Sequence, residues 1–270
     1  MRKCLLPWIV NNIERQLSWI SLHMNLNAIH LLEANQDKID WDWLSCNPNA
    51  MHLLDANPNK IQWSPLSLNS YAIYLLESNQ DKIQWCRLSR NPNAIQLLES
   101  NQDKIDWSCL SGNPNAIHLL EANQDKIDWR QLSSNPNAVH LLKANPNKIH
   151  WSILCLNPNA IHLIDANQDK IDWYMLSTNP NAIHLLEANP DKINWYELSR
   201  NPSAIHLLKE NQKYIDWDKI SANPSIFQCD YTFYRERMDV HREELMKAVF
   251  HPKRLKRSLE LGYNLFDEVD

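Results

Sequence analysis

Ten tryptophans stand in one register: Trp19, Trp41, Trp63, Trp85, Trp107, Trp129, Trp151, Trp173, Trp195 and Trp217 are each separated by 22 residues. A fixed period in the range of 20 to 50 residues is the signature of a repeat architecture, in which each unit is one supersecondary element stacked on its neighbours. Nine full units run over residues 25–222, and a tenth begins at Asn223. A clean unit reads N-P-N-A-I-H-L-L-E-A-N-Q-D-K-I-D-W-x-x-L-S-x.

Each unit carries the punctuation of helices. Asn113-Pro114 is an N-cap followed by proline, which has no N–H to leave unsatisfied. Ala116, Ile117, Leu119 and Leu120 follow at helical spacing and share one stripe. Asn123 then stands where a left-handed C-cap is expected, in a chain with only two glycines. Asp128 is placed to cap a second element starting at Trp129, short enough to be α or 3-10. No strand alternation and no Asn-Gly or Asp-Gly turn occurs, so the expected fold is all-α. The unit is a longer α-helix plus a short α/3-10 helix.

A helix with one apolar stripe cannot bury it alone. Stacking supplies the cover, with Trp41, Trp63, Trp85, Trp107, Trp129, Trp151, Trp173, Trp195 and Trp217 as the structural core. Trp129→Ala is expected to cost roughly 3–5 kcal/mol as a core deletion. Packed layers 8–10 Å apart predict a rod or arc on the order of 80 Å. Terminal units of an open array must differ, because one face has no neighbour. Residues 1–24 read as a degenerate N-terminal cap, 25–222 as a nine-repeat α-solenoid and 223–270 as a C-terminal helical cap.

These units resemble repeat proteins found in large paralogous sets in giant DNA viruses of protists. The likeness rests on N-P-N-A-I-x-L-L-E…I-x-W-x-x-L-S and on the tail F-Y-R-E-R-M…H-P-K-R-L…L-G-Y, and it covers essentially the whole chain. It implies a viral protein, with no active site to carry over. The alternation of a helix opening at Asn-Pro with a shorter one also resembles leucine-rich-variant solenoids, in architecture alone.

Charge limits the function classes. The chain carries -5 overall. Residues 1–230 hold 19 Lys/Arg against 24 Asp/Glu, which disfavours a phosphate-binding face. Only 231–257 is basic, with 8 Lys/Arg against 4 Asp/Glu, and it is the one segment that could carry RNA or DNA. No stretch reaches the roughly 18 apolar residues that would span a bilayer. Met1 to Val10 lacks the cleavage site of a signal peptide and is read as part of the fold. Cys4, Cys46, Cys86, Cys109, Cys155 and Cys229 form no CxxC pair and read as scattered thiols in a reducing compartment. The expected location is therefore a host cytoplasm, or a virion.

No phosphate loop, nucleophile elbow or Cys/His nucleophile context occurs, so no enzyme activity and no cofactor are expected. The Gln124–Asp128 charges recur in most units and read as solvated loop charge. The histidines at one repeat position, including His118, His140, His162 and His184, are read as solvent-facing candidates for partner contact; no HxxH or HExxH spacing supports a metal site. The positions that differ between copies are the candidates for recognition. Trp43, Arg87, Arg130, Tyr174, Met175 and Tyr196 follow the repeat tryptophans and belong to types enriched at interface hot spots. The expected function is a non-catalytic scaffold for protein partners.

Overall fold

In the computed structural model, residues 3–10, 17–232 and isolated positions up to 247 are described. The repeat is helical throughout. In the unit Asn113–Ser134, a turn leads into a leucine helix (Ile117–Ala122), a 3-10 turn (Gln124–Lys126) and a tryptophan helix (Trp129–Ser133). In other units the opening turn is itself 3-10, as at Pro158–Ala160. The leucine helix is therefore shorter than its sequence pattern implies. The Asn-Pro pair caps the turn ahead of it, and the α-helix begins only at Ile117. The two helices of a unit have nearly equal length.

Caps follow their residue chemistry in one case and depart from it in another. Asp128 accepts hydrogen bonds from the N–H groups of Arg130 and Gln131, as an N-cap should. Asn123 is not left-handed: its φ is -136° and ψ 56°. Its side-chain amide instead donates to Leu119 O at 2.9 Å, satisfying a terminal carbonyl of the leucine helix without a positive φ.

The core is a stack of identical small layers. Asn113, Ala116, Leu120, Leu132 and Ser133 are all fully buried. The repeat tryptophans are only half-buried, contrary to a fully internal position. Their outer faces are covered by lysines of the following unit: Lys148 lies 4.4 Å from the centroid of Trp129, and Lys126 lies 4.3 Å from that of Trp107. At Trp195 the corresponding position is Tyr214, which stacks on it at 5.1 Å. These lysines belong to the loop expected from sequence to be only solvated. They form cation–π lids, each worth about 0.5–1 kcal/mol at an exposed site. Half-burial lowers the expected cost of Trp129→Ala to about 2–3 kcal/mol, measured by urea unfolding.

Two hydrogen-bond ladders join the layers. Asn135 donates from Nδ2 to Ser111 O at 3.0 Å and Asn113 O at 2.9 Å, and its Oδ1 accepts from Asn137 N–H. The same pattern repeats at Asn69, Asn91, Asn113, Asn157, Asn179, Asn201 and Asn223. Capping thus accounts for only one of three bonds per asparagine. In the second ladder, Ser133 Oγ donates to Trp129 O and accepts from His150 N–H of the next unit. Among the described residues, every buried side-chain nitrogen and oxygen has a partner.

Leu5–Phe227 form one compact unit, and Met1–Cys4 with Gln228–Asp270 belong to a second. Within Leu5–Phe227 the array closes on itself, and the rod or arc expected from sequence does not form. Asn25 Nδ2 donates to Ser221 O and Asn223 O, both at 2.9 Å. Ser18 N–H donates to Ser221 Oγ at 2.9 Å, and Asn27 Nδ2 to Pro224 O at 2.8 Å. These are the bonds of an internal junction: Asp128 N–H to Ser111 Oγ, and Asn115 Nδ2 to Pro92 O. The helix Trp19–Met24 packs between the helices Trp41–Ser45 and Trp217–Ser221. Leu6 N–H bonds to Ile226 O at 2.8 Å, and the strands β1 (Lys3–Leu5) and β2 (Phe227–Cys229) pair.

The tenth unit is therefore composite. Its start, Asn223-Pro224-Ser225-Ile226, comes from one end of the chain, and its tryptophan helix comes from the other. Ten units in a closed ring turn by about 36° each, a consequence of identical neighbour contacts. Nearly all of 231–257 and the rest of the expected C-terminal cap lie outside the described residues.

Candidate functional site

Curvature decides which face a partner would meet from inside. Neighbouring tryptophan helices pack closely side by side at several junctions, as Trp85–Arg90 does with Trp107–Ser111 and Trp107–Ser111 with Trp129–Ser133, more closely than the leucine helices do with one another. The tryptophan helices therefore form the tighter, inner circle. Arg90 confirms the convergence: its Nη2 reaches Gln131 Oε1 at 3.0 Å across a whole intervening unit. The residues that vary between copies lie on this inner circle, at the two positions after each tryptophan and at the one after Leu-Ser.

A rule of register governs their contacts. The residue after one tryptophan meets two residues of the next unit: the one before its tryptophan and the second one after. Ser108 Oγ donates to Asp128 Oδ2 at 2.6 Å, and Ser152 bonds to Asp172 in the same way. Tyr174 donates its hydroxyl to Glu197 Oε1 at 2.8 Å. Glu197 is only 5% exposed and is also paired with Lys219 Nζ at 3.2 Å. The hydrogen bond to Glu197 raises the Tyr174 pKa above its ordinary value. Burial opposes the charge of Lys219, but its pairing with Glu197 outweighs this and raises its pKa.

Of the recognition candidates, Trp43, Tyr174 and Tyr196 expose 41%, 46% and 47% of their surface, large values for aromatic side chains in a folded array. Tyr174 and Met175 border a cleft of about 410 Å³ closed by Leu156, Thr178, Glu197 and Arg200. Tyr196 and Arg200 border a second, of about 310 Å³, which crosses the seam to Ser21 and Met24. Arg87 and Arg130 are exposed on the same circle. The structure thus brings Tyr174, Met175 and Tyr196 into one neighbourhood, while Trp43, Arg87 and Arg130 stand in other units.

The histidines occupy the other side. His118, His140 and His206 each pair with a glutamate 19 residues earlier, at 2.9, 2.9 and 3.0 Å. Both partners are about half exposed, so these pairs contribute little to stability. Nineteen residues before His162 and His184 stand Lys143 and Asp165, and no ion pair forms at either histidine among the described residues.

One cluster escaped the sequence reading. Cys86, Asp106 and Cys109 bring two thiols and a carboxylate within 4.8 Å of one another. They obey the register rule: Cys86 follows Trp85, while Asp106 and Cys109 flank Trp107. Burial and a hydrogen bond with Cys86 push the Cys109 thiol up to about 12, and the charge of nearby Arg90 pulls it the other way. The signal was present in the sequence once the residue after one tryptophan is read against those flanking the next.

Residues 9–171 match the family model described as "Periplasmic copper-binding protein (NosD)". The matched span is most of the repeat array. No curated protein and no solved structure matches the chain. No helix among the described residues is long and apolar enough to cross a membrane.

Proposed function

For a chain that belongs to the NosD family, we propose a non-catalytic scaffold role in which the inner circle of the ring holds a protein partner. The carrying observation is the cluster of exposed Tyr174 and Tyr196 with Met175 around two adjoining clefts. Large rigid aromatics beside a buried, hydrogen-bonded charge pair make an anchor of the kind that concentrates binding energy. The surrounding layers repeat the same residues, whereas these positions do not. The resemblance to giant-virus repeat proteins supports a viral origin, action on host or viral proteins, and a place in the host cytoplasm or the virion.

The test is capture of partners with a C-terminally tagged chain, beside the variant Tyr174→Ala/Met175→Ala/Tyr196→Ala. A stoichiometric protein partner retained by the parent chain and weakened at least about tenfold in the variant is the expected outcome. Met175 is half-buried against the core and Tyr174 bonds the buried Glu197, so the variant's urea midpoint is measured beside the parent's and binding is compared where both are folded. A partner held equally by both removes the inner circle as its site. Nuclease-sensitive material held through 231–257 would move the function to nucleic acid.

The printed name of the matched family attributes copper binding to its namesake. For this chain that property bears on Cys86, Asp106 and Cys109, whose two thiols are donors of the soft type that copper(I) takes.

A further inference from the structure

We propose that the inner circle receives one amphipathic α-helix of a protein partner, apolar on one face and acidic on the other. The proposal rests on the inner-circle scaffold reading and adds the chemistry and form of what is held. Its premise is how side chains are distributed around the closed ring.

The exposed large apolar side chains of the inner circle are Ile20, Met24, Trp43, Tyr174 and Tyr196. In sequence they stand near opposite ends of the array. Closure makes their units consecutive, from Trp173 through Trp195 and Trp217 and across the seam to Trp19 and Trp41. One cleft already joins the two ends, with Tyr196 on one side and Met24 on the other. Contiguous exposed apolar surface of this kind marks a site of interaction. Among the described residues, the other five units, Trp63 to Trp151, expose no large apolar side chain at the same positions. They carry Arg87, Arg90 and Arg130 there, and no acidic residue. The middles of the two arcs are the Trp217 and Trp107 units, five units and therefore about 180° apart in a ring of ten. The inner circle thus has an apolar wall facing a basic one.

Neighbouring charges keep the two walls distinct. In the apolar arc they nearly cancel: Asp42 and Asp218 stand with Arg200, and Glu197 is paired with Lys219. Beside the basic arc lie the carboxylates of Asp106 and Asp128. Both are N-caps that accept N–H bonds from their own helices, and Asp128 also accepts from Ser108. Among the described residues, none of the three arginines forms an ion pair, and Arg90 gives one donor to Gln131. Their guanidinium forks suit carboxylates, which they bind in bidentate fashion. Tryptophan helices about 8–10 Å apart around ten units enclose an opening that admits a single α-helix, about 10–12 Å across with its side chains. Such a helix turns one face to each wall at once. A polynucleotide would meet arginines on one side only and would leave its other phosphates against an apolar, partly acidic wall.

The experiment uses the full-length chain and a fluorescein-labelled helical peptide of about 20 residues, with Leu and Trp on one face and Glu on the other. A second peptide carries Lys in place of Glu, and a third holds the residues of the first in scrambled order. One Glu peptide per chain is expected to bind, at least about tenfold more tightly than either of the others and more weakly as salt is raised. Charge reversal is the decisive variant. Arg87→Glu/Arg130→Glu weakens the Glu peptide at least about tenfold and admits the Lys peptide, a gain that misfolding cannot produce. Trp43→Ala, across the seam from Tyr196, weakens the Glu peptide as well. The protein partner captured by the tagged chain is tested on the same variants. A partner lost with Tyr174→Ala/Met175→Ala/Tyr196→Ala but held unchanged by Arg87→Glu/Arg130→Glu leaves the scaffold reading standing and overturns the acidic face. Failure of the Glu peptide to bind, equal binding of the Glu and Lys peptides, or displacement of the Glu peptide by oligo(U) also overturns the proposal.

Discussion

Asn135→Ala lowers stability by about 3–5 kcal/mol, more than removal of a repeat tryptophan. The truncation leaves Ser111 O, Asn113 O and Asn137 N–H without their side-chain partner. Asn135 is fully buried, so water cannot replace those bonds. Each stranded buried group costs about 1–3 kcal/mol, and partial relaxation brings the sum to the range stated. Urea unfolding with an unchanged m-value is the measurement. The same substitution at Asn25 discriminates ring from open array. At the end of an open array Asn25 would face solvent and its loss would be nearly neutral. In the ring it bonds Ser221 O and Asn223 O, so Asn25→Ala should cost as much as Asn135→Ala. A cost below about 1 kcal/mol, the scale of a single net hydrogen bond, would argue against closure.

Removal of residues 1–24 is the more severe change. It deletes the Trp19–Met24 helix, the fully buried Leu22 and Ile9, and the donor of the Ser18–Ser221 bond. It also uncovers the apolar sides of the Trp41 and Trp217 helices. Loss of two large buried aliphatic side chains alone amounts to at least about 5 kcal/mol. The expected result is a chain that unfolds at a markedly lower temperature, with a larger radius in solution scattering or with self-association through its uncovered ends. A truncated chain that keeps the parent's midpoint and radius would contradict the seam.

Much of the local structure was legible because the local signals agree with one another. Asp128 caps the tryptophan helix as its type and position require, and Leu120 and Leu132 are buried where the apolar stripe places them. The histidines face solvent, as the helical wheel indicates. Curvature was not legible, because period alone fixes register and says nothing of the wedge between layers. Side-chain chemistry differs between the two sides: buried asparagine and serine ladders tie the layers on one, and exposed His–Glu pairs link them on the other. A trace of closure did exist in the sequence. Asn223-Pro224-Ser225-Ile226 is the front half of a unit and Trp19-Ile20-Ser21-Leu22 the back half, and the two together make one repeat. Read separately, each passed for a degraded cap. The Cys86–Cys109 proximity was hidden for a similar reason. Their spacing of 23 exceeds the period by one, so they never align when the copies are stacked in columns.

Closure also restricts how such a protein can change. An open solenoid tolerates gain or loss of a whole unit by recombination, since the neighbours merely shift along. A closed one has an angular quota. An eleventh unit would require every junction to relax from about 36° to about 33°, and a ninth would require about 40°, with the shared asparagine geometry altered at each step. Variation is thereby diverted from copy number to the side chains that line the inner circle, where the ten units already differ most.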